Sequence, residues 1–451
     1  MVSLDVLSPD EAAALLVRLA SRPGLGAGDA AVREITRLGG YLPLAIGMLA
    51  SQLRHHPAWT AVSLAAELAD TRDRLALMHT ENLSAGAAFG LSYRDLPDDQ
   101  QRLFRRLGLV PGADFDAYAA AALDAISLAT SRRHLEELYE QHLLAEPAPG
   151  RYQLHDLLRE HARALAAADD PAESDAAAIR LLDYYLHTAL AASRHFGSGV
   201  SAARHPPPGR PPAHAPDLSA LGQAGAWLEA ERVNLHAATD YAAGQARSLY
   251  ALAIPAAIGH FLPARGHWDQ FAALHQTALA AARQAGDPIG EAYTLAELGL
   301  SQRQAADYPA AAASQQQALA LFRDLGDLPG QAEALNCLGE LSSRASDTSQ
   351  AREHHTHALA IARAISVPLE EARALEGIGH SHLQDGRPGQ AAAQLRQALT
   401  IYKRIGAPAA QRVQQTIQNH TLTSTTRSLS RRLPAAKAIS RTRPPHPPGD
   451  Q

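Results

Sequence analysis

"EALNCLGELSSRASDTSQAREHHTHALAIARAI", residues 333–365, is one period of a pattern that returns every 40 residues. Gly339 has counterparts at Gly259, Gly299 and Gly379, each preceded by a branched apolar residue: Ile258, Leu298, Leu338 or Ile378. Ala358-Leu359 recurs as Ala278-Leu279, Ala318-Leu319 and Ala398-Leu399, and a small residue follows three of the glycines at Ala311, Ala351 and Ala391. Trp268 and Tyr308 share an aromatic column. A fixed period of this length means stacked helix pairs, each burying one face on the next. A glycine inside a helix costs about 1 kcal/mol relative to alanine. Its recurrence predicts a neighbouring helix passing close to the backbone.

Working outward, the fold class is mainly α, with a solenoid over 218–418. Upstream, "GSGVSAARHPPPGRPPAHAP" has the Pro and Gly density of a linker, placed at 197–217. Residues 84–196 read as short helices, then a β-hairpin across "HLLAEPAPGRYQLHD", then a trailing helix: the outline of a winged helix. Residues 1–83 read as a helical bundle. Ser8-Pro9-Asp10-Glu11 marks its first helix start, and Pro43 stands near the N-terminus of its third helix. Downstream, 419–451 carries six basic residues against Asp450 and no apolar periodicity, so an unstructured basic tail is expected there. That tail is either a solvated end or a nucleic-acid contact.

Composition narrows the function classes. The 451-residue chain has a net charge of −5, which excludes a generic nucleic-acid binder. A single cysteine, Cys337, excludes intrachain disulfides and thiolate clusters. The start has no signal-peptide pattern, and the most apolar stretch, 250–264, contains two prolines, so a cytoplasmic protein without membrane contact is expected.

The 40-residue unit resembles the tetratricopeptide repeat, whose usual period of about 34 residues is exceeded here by longer helices or longer turns. "GGYLPLAIGMLASQLR" resembles the GLPLA motif of the NB-ARC module's ARC subdomain, and "YQLHDLLREHAR" its methionine-His-Asp motif, with Leu154 replacing methionine. "AWLEAERVNL" followed by repeats completes the order seen in STAND-class regulators of the bacterial antibiotic-regulatory-protein type. The resemblance covers about residues 4–418. It implies that Pro43 lines an adenine pocket and that His155 approaches the β-phosphate of ADP. Pro43 also serves simply as a helix-start proline, Asp156 as a helix N-cap, and His155 as an ordinary exposed or satisfied histidine.

No G-x-x-x-x-G-K-[ST] occurs, and no lysine precedes Lys403. No cofactor is therefore expected on the isolated chain, and ADP or ATP only where a P-loop part is supplied elsewhere. The resemblance places the family's P-loop, Mg²⁺-binding strand and DNA-binding region upstream of this sequence. No H-E-x-x-H or G-x-S-x-G is present, so no enzyme is expected. His354, His355 and His357 form either a metal pair or a solvated helix face. From Asp98 to Leu165, eight arginines stand against eleven acids, the wrong sign for a DNA groove reader.

The leading reading is a non-catalytic regulatory protein whose solenoid binds a protein or peptide. A separate ATPase or DNA-binding subunit is a further candidate partner. The rivals are a transcription regulator touching DNA through the winged helix or tail, and a truncated product without independent function. Counting from the glycines, the groove positions are Glu333, Asn336, Glu340 and Ser343, then Arg373, Glu376, His380 and Leu383, with Tyr293 and Arg303 from the unit before. That wall is expected to be polar and locally acidic around Glu340 and Glu376, suited to a basic or hydrogen-bonding peptide. The alternative is a merely solvated face.

Overall fold

The computed structural model describes residues 6–76, 83–196 and 209–432, which are mainly helical. The chain divides into two compact units, Met1–Thr294 and Leu295–Gln451.

In the first unit, α1 (Pro9–Ala20) opens with a reciprocal cap. The Glu11 amide donates to Ser8 Oγ, and the Ser8 amide donates to the Glu11 carboxylate at 3.0 Å. With α2 (Ala30–Leu38), α3 (Pro43–His55), α4 (Ala61–Ala76) and α5 (Leu83–Arg94) it encloses a core including Leu16, Ile35, Ile46, Leu49 and Leu64. Helix α5 gives Ala87, Ala88 and Leu91 to this core and Phe89 and Tyr93 to the next. The expected boundary at 83/84 is therefore a helix shared by two cores.

Helices α6 (Asp98–Leu107), α7 (Ala117–Asp124) and α8 (Leu128–Glu140) lead into the expected hairpin, β1 (Ala145–Ala148) and β2 (Arg151–Gln153), which pair antiparallel. Gly150 turns it in the left-handed region at φ +71°. Tyr152 exchanges two backbone hydrogen bonds of 2.8 Å with Phe115, tying the hairpin to the loop before α7. Helices α9 (Asp156–Ala166) and α10 (Pro171–Ser193) follow, then α11 (Leu221–Gly244), α12 (Ser248–Ile258), α13 (Phe261–Ala264) and α14 (Trp268–Ala285).

The sequence predicts that 197–217 separates two cores. Residues 197–208 lie outside the described residues, but the packing on either side is continuous. Leu181, Tyr184 and Tyr185 of α10 share one apolar core with Trp227 and Leu235 of α11, Ile254 of α12 and Phe271 of α14. The reason is that α10 is buried on most of its circumference, so it needs partners from both sides of the proline-rich stretch.

From α15 (Pro288–Gln304), which carries the boundary between units, the pattern is regular: α16 (Tyr308–Asp324), α17 (Leu328–Arg344), α18 (Thr348–Ala364), α19 (Pro368–Gln384) and α20 (Pro388–Arg404). Each is 17 residues long, and three-residue turns separate them. Longer helices, not longer turns, therefore set the 40-residue period. Three of the five turns share one design, while Val367 and Arg387 replace the aspartate in the other two. A left-handed residue (Ala306, Gly326, Ser346) precedes an aspartate (Asp307, Asp327, Asp347) whose carboxylate accepts from an amide of the next helix's first turn at 2.9–3.1 Å.

The glycine column works as expected in the second unit. A Cβ on Gly339 would lie 2.6 Å from the His355 ring, one on Gly299 2.6 Å from Gln315, and one on Gly379 2.8 Å from Leu395. Gly259 differs. It is the C-cap of α12, and a Cβ there would meet nothing closer than 3.4 Å. The last helix, α21 (Ala409–Arg432), continues past Asn419, where the sequence predicts an unstructured tail. Val413 and Ile417 hold its first turns against Leu395 and Tyr402. Residues 433–451, the rest of the expected tail, lie outside the described residues.

Candidate functional site

In the second unit, the first helices of successive pairs present charged side chains that engage one another. Glu340 on α17 accepts from Arg303 on α15 and from Arg373 on α19, the latter at 2.9 Å. Arg373 also reaches Glu370 at 3.1 Å. Burial opposes ionisation of Glu340, but Arg373 and Arg303 outweigh it, holding its carboxyl below the usual range. Glu376 accepts from Tyr402 at 2.9 Å and Arg412 at 3.0 Å, with His380 at 3.5 Å. The expected acidity around Glu340 and Glu376 is thus neutralised from within.

A different carboxylate has no cation beside it among the described residues. Burial, reinforced by the neighbouring charge of Glu333, pushes Glu297 up to about 8. Arg303, Glu333, Glu340, Arg373 and His380 are half-buried, as residues on a groove floor are. Asn336 and Tyr293 do not line such a floor. Asn336 is fully buried: its Nδ2 donates to Glu370 at 2.8 Å and its Oδ1 accepts from His355 Nδ1 at 3.0 Å. Tyr293 is buried in the first unit.

His355 does not lie on a solvated helix face. It is buried against Gly339 and Gly377, and desolvation lowers it to about 4. His354 is half-buried and His357 exposed. No group of three or more His, Cys, Asp or Glu among the described residues could hold a metal ion.

In the first unit, Arg151 on β2 pairs with both Asp114 and Glu231, the latter on α11 and almost fully buried. Asn234 Nδ2 joins them, donating to Asp114 at 2.9 Å and to Glu231 at 2.7 Å. Burial pushes Glu231 up against the opposing pull of Arg151. Arg151 lies four residues before His155, so this clamp fixes the strand that leads to it. His155 is the N-cap of α9 and Pro43 the first residue of α3, so both stand at helix N-termini, where amides face outward. Asp156 follows the cap rather than forming it.

The tetratricopeptide-repeat family matches residues 330–404. The regulatory protein AfsR of Streptomyces griseus is 42% identical over 191 residues, covering 42% of this chain and 20% of that protein. AfsR of Streptomyces coelicolor is 37% identical over 258 residues, covering 55% and 25%. The chain is homologous to the AfsR regulatory proteins. This bears out the resemblance to the antibiotic-regulatory-protein type, and the chain spans a quarter or less of these relatives' length. A crystal structure of a STAND protein with a tetratricopeptide repeat sensor from Pyrococcus horikoshii aligns with TM-score 0.43 at 13% identity, covering 94% of this chain and 58% of that one.

Two features of this AfsR homologue escaped the sequence reading. Glu231 and Asn234 belong to "AWLEAERVNL", whose polar residues show no purpose until the fold brings Arg151 to them. The arginines between Asp98 and Leu165 are also engaged. Arg102 and Arg106 hold Asp124, and Arg105 holds Asp169. Arg159 and Arg163 donate to backbone carbonyls. Arg132 lies over Tyr118, and Arg133 stands near Glu137. Among the described residues no helix is long and apolar enough to cross a membrane.

Proposed function

We propose that this chain is a non-catalytic regulatory protein. Its second unit binds a basic protein or peptide segment along α15, α17 and α19, and its first unit relays that event to the strand before His155. The observation that carries the reading is the groove floor itself. Its central charges are already paired through Arg303, Glu340 and Arg373, while Glu297, raised by burial, is where an incoming cation gains most. The clamp of Arg151 with Glu231 and Asn234 supports the relay, because it joins the hairpin to α11 by buried charge rather than by exposed contacts. Nucleotide would be engaged only together with a P-loop part supplied from outside residues 1–451.

Six of the eight arginines in the helix–hairpin segment are held by ion pairs or backbone carbonyls, which supports a protein-facing role over direct DNA contact, which needs cations available to phosphates. Calorimetry on the full chain tests the proposal, with an arginine-rich and a glutamate-rich decapeptide as probes. The basic probe should bind. Glu297→Gln with Glu333→Gln should weaken it about tenfold, the scale of one charge-assisted hydrogen bond. Equal binding of the acidic probe, or no change in the double variant, contradicts the assignment. Phosphate release from ATP should stay at background, and turnover by the chain would contradict a non-catalytic role.

A further inference from the structure

The first unit holds a cleft of about 640 Å³ between α10 and residues 209–219. Thr188, Ala191 and Arg194 form one wall, and Pro212, Pro216 and Leu218 the other. The strap is extended, with alternate residues from Pro212 to Leu218 half-buried, and its far end is pinned where His195 Nε2 meets the Leu218 carbonyl at 2.8 Å. Three prolines fix its backbone, so the wall is rigid before anything binds. The volume is that of an ordinary small-molecule site.

Three polar groups on its α10 wall lack partners among the described residues. Thr188 is 1% exposed, and its hydroxyl has no hydrogen bond. This departs from the chain's own habit, because Thr239, Thr294, Thr356, Thr400 and Thr416 all donate to the carbonyl four residues back. His187 Nε2, also on the wall, is likewise buried without a partner. Arg194 is exposed and makes no ion pair with a described residue, no carboxylate lines the cleft, and residues 197–208 contain no Asp or Glu.

We propose that this cleft binds a small organic anion with an apolar body. Its anionic group faces the Arg194 guanidinium, its body lies against Pro212, Pro216 and Ala191, and a polar atom satisfies Thr188. The site is distinct from the groove of the second unit and does not depend on it.

Anilinonaphthalene sulfonate is a suitable probe for the full chain, compared with N-phenylnaphthylamine, which shares the apolar body but is neutral, and with inorganic phosphate. The sulfonate should titrate as one saturable site by fluorescence. The neutral amine should bind about tenfold more weakly, as for loss of one charged contact. Phosphate should not compete at millimolar concentration. Arg194→Ala should bring the sulfonate to the affinity of the amine, Thr188→Val should weaken it less, and Ala191→Trp should remove both probes by filling the cleft. Circular dichroism checks that each variant folds, and the exposed Arg194→Ala leaves the core intact. Non-saturable binding, affinity unchanged in Arg194→Ala and Ala191→Trp, or displacement by phosphate alone would each overturn the proposal.

Discussion

Replacing the repeat glycines with alanine should change stability in opposite directions at different copies of the same column. At Gly339 the new Cβ would lie 2.6 Å from His355 Nε2 and 2.7 Å from the adjacent ring carbons. The ring cannot swing aside, because Gly377 stands against it and Asn336 holds its Nδ1 at 3.0 Å. Overpacking of a core typically costs about 1–3 kcal/mol. Expelling the ring instead leaves the buried Asn336 Oδ1 without a donor, at about 1–3 kcal/mol. Helix propensity returns only about 1 kcal/mol, so Gly339→Ala should destabilise by about 1–2 kcal/mol. Gly259→Ala meets nothing closer than 3.4 Å at a helix end and should be neutral or stabilising by up to about 1 kcal/mol. Urea unfolding of the full chain reads both, and a double-mutant cycle with His355→Ala isolates the clash as a favourable coupling. A Gly339→Ala variant as stable as the parent, or showing no coupling to His355, would refute the packing argument.

Arg151→Met should destabilise the first unit by about 3–5 kcal/mol, because it leaves Glu231 buried and uncompensated, and adding Glu231→Leu should recover much of the loss. Glu340→Gln should cost less, about 1–2 kcal/mol, since Arg303 and Arg373 remain partly solvated. Acid should weaken the fold through its buried histidines. His161, His275 and His355 fall from an ordinary 6.5 to about 4, so their contribution is full above pH 6.5 and is lost as pH falls toward 4. Thermal melts between those pH values should show the decline, and His355→Gln should reduce it.

Much of the fold was legible because repetition makes chance coincidence implausible. The Gly and Ala-Leu columns marked the helix pairs, and Ser8 and Pro43 marked helix starts that the structure keeps. Other features were masked by their chemistry. The 20-residue sub-period of the turns was obscured because its left-handed residue varies among Ala306, Gly326 and Ser346, and the aspartate after it gives way to Val367 and Arg387. The residues that fill the glycine notches, Gln315, His355 and Leu395, share volume and position but no side-chain type. Counting from the glycines put Glu340 and Arg373 on one wall, and the two side chains meet at 2.9 Å. It failed at Asn336, because a residue three positions away shares the glycine's own helix face, which packs inward. The proline-rich stretch read as a spacer because composition reports the missing amides. It cannot report that Asp183 accepts from both Tyr250 and the Arg210 amide across it.

The two kinds of charge on the groove floor should respond differently to a ligand. Where Arg303, Glu340 and Arg373 already satisfy one another, a partner gains only by exchange, so that ladder shapes specificity more than affinity. Glu297 is different: with its carboxyl raised to about 8, it is mainly protonated at pH 7. An arginine arriving between Glu297 and Glu333 returns Glu297 toward its ordinary value of 4.5, and the proton must leave. The same shift makes Glu297 a stabilising group at low pH whose contribution fades as pH rises from 4.5 through 8, so Glu297→Gln should stabilise the free chain above that range. Binding of the arginine-rich decapeptide at pH 7 should therefore release close to one proton, read as a dependence of the calorimetric enthalpy on the ionisation enthalpy of the buffer. Glu297→Gln should remove that dependence while Glu340→Gln keeps it. Binding without proton release would place the peptide away from Glu297.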